Sequence, residues 1–154
     1  VASVESIRTR ILKKLVDLCK AERAGAYYVR RGPINWAEFP WDRHAQAMAI
    51  ITPEFTIMQP IRQEMTIQIE VAQSMPDEKV IDSESAGGGF NDNELEGMVF
   101  DTEQILRQFM ESKDSVFTGD DLLLNLDILN VEVQEMSSAD FSVQGIVVTF
   151  TIQY

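Results

Sequence analysis

The chain has 154 residues, 45% of them apolar, which suits one domain (1–154) with a sizeable core and excludes wholesale disorder. Its 25 acidic and 13 basic residues give a formal net charge of −12, a poor balance for gripping nucleic acid, whose affinity comes largely from neutralised phosphates. No apolar run approaches the roughly 18 residues of a membrane-spanning helix, and a single cysteine, Cys19, excludes an intramolecular disulfide and suits a reducing compartment.

Taken in order, the chain opens on VASVESIRTRILKKL, amphipathic and without the uninterrupted apolar stretch of a secretion signal. Ser3 as N-cap, followed by Val4, Ile7, Ile11, Leu15 and Leu18, predicts a helix over 3–22, ending before Gly25. Residues 26–31 (AYYVRR) predict a short strand stopped by Gly32-Pro33. The stretch 32–47 holds Trp36, Trp41, Pro40 and His44 without a clean period and reads as a long ordered loop. Residues 47–51 predict a short strand ended by Thr52-Pro53, and 55–59 an edge or bent segment before Pro60.

In 62–73, Met65, Ile67, Ile69 and Val71 alternate with Thr66, Gln68, Glu70 and Ala72, a period of two that predicts a strand with one buried face. Residues 74–93 change composition: acidic residues and Gly87-Gly88-Gly89 replace large apolar ones, as in a long functional loop. A second helix follows over 93–113, with Asn93 and Glu96 resembling a capping box and Gly97 weakening the first turns. Residues 122–154 predict a long antiparallel hairpin. In its last strand Ile146, Val148, Phe150, Ile152 and Tyr154 share one face; in the strand before it, the apolar phase flips at Ile128-Leu129, which predicts a bulge. Ser137, Ser138 and Asp140 supply the turn. The order α-β-β-β-α-β-β predicts an α+β fold, an antiparallel-rich sheet with two main helices on one face.

Catalytic and cofactor chemistry finds no foothold. No Lys-Ser/Thr follows the glycine run, so flexibility explains it better than a phosphate loop. An EF-hand laid from Asp82 meets Ala86 where an oxygen ligand belongs and Asn93 where the bidentate Glu belongs. A lone His44 forbids two-histidine metal motifs, no G-x-S-x-G occurs, and a loop hydrogen bond is the plainer role for His44. Cys19 reads as buried filler, and Met48, Met65, Met98 and Met110 as core. Trp36 and Trp41 have two open roles: plugging a local core, or anchoring a subunit interface, where tryptophan is enriched. The expectation is a protein that is not an enzyme, with no catalytic residue, metal or cofactor.

The opening helix SIRTRILKKLVDL, the strand MTIQIEVAQ, the helix VFDTEQILRQFM and a hairpin closing on GIVVTFTIQY together resemble the tail-terminator proteins of long-tailed bacteriophages, also called tail-completion or tail-to-head joining proteins. The resemblance spans nearly the whole chain by pattern, without a diagnostic motif, and leaves the loops 32–47 and 74–93 unmatched. It implies a structural virion protein, assembled in the host cytoplasm, forming a ring, usually six-fold. That ring caps the finished tail tube, meets the head connector and lets DNA pass through its lumen without specific binding. Within that expectation, Asp77, Glu78, Asp82 and Glu84 are the first candidates to line the lumen, against an outer-wall role as solubilising charges. The nearest alternatives are another head-tail connector or a tail tube protein. From a different class comes a ferredoxin-like module holding a small ligand between sheet and helices.

Overall fold

The two strands of strictest alternation lie side by side inside the sheet, with one face buried under the helices and the other partly covered. A computed structural model describes residues 6–59, 62–75, 92–119, 121–137 and 142–154. In chain order these form α1 (Ile7–Ala21), β1 (Tyr28–Arg31), β2 (Gln46–Gln59), β3 (Arg62–Met75), α2 (Asp92–Glu111), the short α3 (Lys113–Val116), β4 (Asn125–Ser137) and β5 (Ser142–Gln153). The fold is α+β, with a five-stranded, mostly antiparallel sheet in the order β1-β2-β3-β5-β4. Among the described strands only β1 and β2 pair in parallel, because the chain between them crosses over before returning. β3 runs antiparallel to β5 in unbroken register from Glu64↔Gln153 to Met75↔Ser142.

Both main helices cover one face. Met65, Ile67, Ile69 and Val71 of β3 and Ile146, Val148, Phe150 and Ile152 of β5 point into that core at 0–2% exposure. α1 meets them with Ile11, Leu12, Leu15 and Cys19; α2 brings Met98, Ile105, Leu106 and Phe109. These spacings of one, three, four and seven keep each apolar stripe on one side of its helix. Arg10 closes the open end of the layer. Its Nη1 donates to Val116 O at 2.9 Å and Thr118 Oγ1 at 2.6 Å, and its Nη2 to Asp121 Oδ2 at 2.5 Å.

Several boundaries differ from expectation for physical reasons. Ser3 lies outside the described residues, and the cap of α1 is Ser6, whose Oγ accepts from Thr9 N at 3.2 Å. β1 starts at Tyr28 because the chain first turns through Gly25 in the left-handed region (φ +85°). β2 does not stop at Thr52-Pro53. It continues to Gln59 through a register shift between Ile51 and Glu54, so Pro53 sits in a bulge, where its missing N–H breaks no ladder bond. α2 begins at Asp92, one residue before the expected cap, and runs through Gly97 without a break. The bulge expected at Ile128-Leu129 is present: Ile128 opposes Phe150, Asn130 opposes Thr149, and Leu129 is the extra residue. Met48, Met65 and Met98 are core as expected, whereas Met110 is 38% exposed, beyond the edge of the stripe on α2.

Candidate interaction surfaces

The face of the sheet away from the helices carries a second, smaller core, built by the loop between β1 and β2. Trp41 is buried there with Ala72 and Val143, and Trp36 and Phe39 pack on them half-buried. The two indoles stack at 5.9 Å, and Phe39 meets Trp41 edge-on at 4.5 Å, geometry that suits aromatic quadrupoles. Trp41 Nε1 donates to Trp36 O at 3.2 Å, and Trp36 Nε1 donates to Glu70 Oε2 at 3.0 Å. Of the two roles left open by sequence, Trp41 plugs a local core, while Trp36 keeps an accessible side.

His44 packs its ring on Tyr28 at 4.9 Å and Phe39 at 5.8 Å, and its backbone N–H donates to Pro40 O at 3.2 Å. Tyr28, Arg30, Asn35, Glu38 and Phe39 line an open cleft of about 270 Å³ beside this cluster. Cys19 is buried filler, as expected. Burial first, and the nearby Glu22 carboxylate second, push its thiol up to about 12, so it remains protonated and unreactive at neutral pH. Among the described residues no group of three or more His, Cys, Asp or Glu is placed to hold a metal ion. Asp77, Glu78, Asp82 and Glu84 lie outside the described residues.

An accessible apolar feature was not singled out by sequence reasoning. Among the described residues β4 is an edge strand of thirteen residues, paired with β5 alone. Leu126, Ile128, Val131 and Val133 oppose Ile152, Phe150, Val148 and Ile146, so they share the helix-side face. Leu126 packs partly buried against the main core, yet the helices stop short of the rest: Ile128, Leu129, Val131 and Val133 are between 43% and 60% exposed. Leu122 and Leu124, just before the strand, are exposed as well. Natural edge strands are usually short, charged or covered, because an open ladder invites another chain. Covering one of these half-exposed side chains is worth on the order of 1 kcal/mol, so the stripe is a substantial reserve of association energy. Its alternation looked like that of any buried strand; only the placement of α2 over β5 rather than β4 reveals that it is uncovered.

Compared with known proteins, the chain matches no family model and no curated protein.

Proposed function

We propose that this chain is a tail-terminator protein of a long-tailed bacteriophage, a structural subunit whose copies form a ring that caps the completed tail tube and joins it to the head connector. The observation that carries the reading is β4, a long apolar edge strand on an α+β subunit whose element order is that of the family resemblance. Such an edge is a surface for a neighbour, and a ring satisfies every copy's edge at once. The acidic balance of the chain fits a channel past which DNA slides, because carboxylates offer phosphates no contact to hold. Asp77, Glu78, Asp82 and Glu84 are the first candidates for that lumen, against a role as solubilising charges on the outer wall. Solution mass together with negative-stain imaging of the purified protein tests the reading. A closed ring, with six copies expected, supports it; a chain that stays monomeric at tens of micromolar contradicts it.

A ligand-binding module is the second reading, favoured by the cleft at Tyr28 and Arg30. The space between sheet and helices, where such a module was expected to hold its ligand, is filled by Phe109, Phe150, Ile67 and Ile105. The cleft itself lies on the other face and is open, with a volume below the roughly 300 Å³ at which ligand pockets begin. It carries less than β4 does.

A further inference from the structure

The two edges of the sheet carry opposite charge. β4 (NLDILNVEVQEMS) holds Asp127, Glu132 and Glu135 and no basic residue; β1 (YVRR) holds Arg30 and Arg31 and no acidic one. The contrast extends through the chain: residues 1–62 contain ten basic and six acidic residues, whereas 63–154 contain three basic and nineteen acidic. Because β1 and β2 come from the first part and β3, β5 and β4 from the second, one edge of the sheet is drawn from the basic part of the chain and the other from the acidic part.

We infer that the β4 edge of one copy docks on the β1 edge of the next, extending the sheet from subunit to subunit in a head-to-tail interface. This rests on the ring reading and assigns the surfaces that build the ring. A two-fold β4–β4 contact would bring two acidic edges, each carrying Asp127 and Glu132 and no basic residue, to the roughly 4.8 Å spacing of paired strands, well inside the screening length of about 8 Å at physiological salt. The β4–β1 contact instead brings a basic edge to an acidic one, with Arg30 on the face that carries Asp127 and Glu132. Strand direction agrees. β1, β2 and β5 run one way and β3 and β4 the other, so a neighbour in the same orientation presents β1 antiparallel to β4, the stronger of the two pairings. Faces agree too. Asp127 and Glu132 lie on the face away from the helices, and Arg30, opposite Ala49, lies on that same face; Arg31, opposite Ile50, joins the helix-side face with the apolar stripe. A head-to-tail interface of this kind closes into a ring when its rotation allows, which a two-fold contact cannot do.

The test uses two variants and their mixture, with mass and imaging as readouts and circular dichroism as the folding control. Asp127→Lys with Glu132→Lys reverses one edge; Arg30→Glu with Arg31→Glu reverses the other. All four side chains are exposed, and Asp127→Asn, Glu132→Gln, Arg30→Gln and Arg31→Gln serve as milder versions if a reversal impairs folding. Each double variant alone is expected to assemble at least tenfold more weakly than the natural chain. Mixed one to one they are expected to recover assembly, because alternating copies restore opposite charges at every contact. If the Arg30/Arg31 variant assembles as the natural chain does, the interface is elsewhere and the ring reading stands without it. If the natural chain itself stays monomeric, the ring reading and the interface both fail.

Discussion

Tyr27 donates its hydroxyl to the buried carboxylate of Asp101 at 2.5 Å, tying the segment after α1 to the middle of α2. Arg23 Nε lies 2.7 Å from the same carboxylate. That contact holds an unusual backbone: Arg23 and Ala24 both lie in the left-handed region, at φ 48° and 55°, followed by Gly25. Each non-glycine residue there costs roughly 1–2 kcal/mol, so the turn persists because its surroundings fix it. Burial first, and then the bond to Asp101, push the Tyr27 hydroxyl well above its ordinary range, which keeps it a donor.

Removing the acceptor should therefore cost more than removing the donor. Asp101→Ala leaves the Tyr27 hydroxyl buried without its acceptor and releases the turn, at about 2–4 kcal/mol. Tyr27→Phe removes one hydrogen bond and leaves Arg23 on the carboxylate, at about 1 kcal/mol. Urea denaturation of the two variants measures the difference, and a smaller loss for Asp101→Ala would contradict this role for the carboxylate.

The phase of β5 predicts a second ordering. Phe150→Ala and Val148→Ala empty the helix-side core and should each cost about 2–5 kcal/mol. Thr149→Ala, half-buried on the other face, should cost under about 1 kcal/mol. Thr151 sits on that other face too, but its central position between Thr66 and Asp127 leaves it 7% exposed, so it should fall between the two groups. Equal losses from both faces would contradict the assigned phase.

How much of this was legible depended on whether the signal was local. The Leu129 bulge was readable because a two-residue period cannot change phase without an extra residue. The passage of β2 through Pro53 was not, since it depends on β3 holding the far half of the strand in register. The parallel pairing of β1 with β2 is a matter of partners, which periodicity does not encode. The left-handed Arg23 and Ala24 carry no glycine to announce them. At the candidate surface, Trp41 and Trp36 were recognised as special, but aperiodic sequence gave no way to know that they cover the sheet face opposite the helices. Most consequentially, Ile128, Val131 and Val133 alternate just as a covered strand does, and their exposure depends on where α2 lies.

Alkaline stability follows from two buried groups whose folded values are raised. The Cys19 thiol ionises ordinarily near 9.0 and in the folded chain at about 12; Tyr27 moves in the same direction. A raised folded value means the unfolded chain gives up its proton first. This contribution to stability is thus fully present below pH 9 and is lost as pH rises toward 12. Denaturation at pH 8 through 11 should show the decline, with a shallower slope for Cys19→Ala. Rapid reaction of Cys19 with a thiol reagent in the folded chain at pH 8 would contradict its burial.

The exposed stripe separates folding from association. Ile128→Ser, Val131→Ser and Val133→Ser together should change subunit stability modestly, because each side chain is already about half in water. Assembly should weaken at least tenfold, read by sedimentation across a concentration series. A large loss of folding stability with unchanged association would assign the stripe to the subunit's own core instead.

The central claim is that this protein ends a tube. The direct measurement is elongation of purified phage tail tubes, imaged over time with and without the protein added at a fixed excess. Growth is predicted to stop, with a ring seated on the growing end of each tube and the same block absent for the paired edge variants used singly. Tubes that keep lengthening beside intact rings, with no density at their ends, would contradict the account.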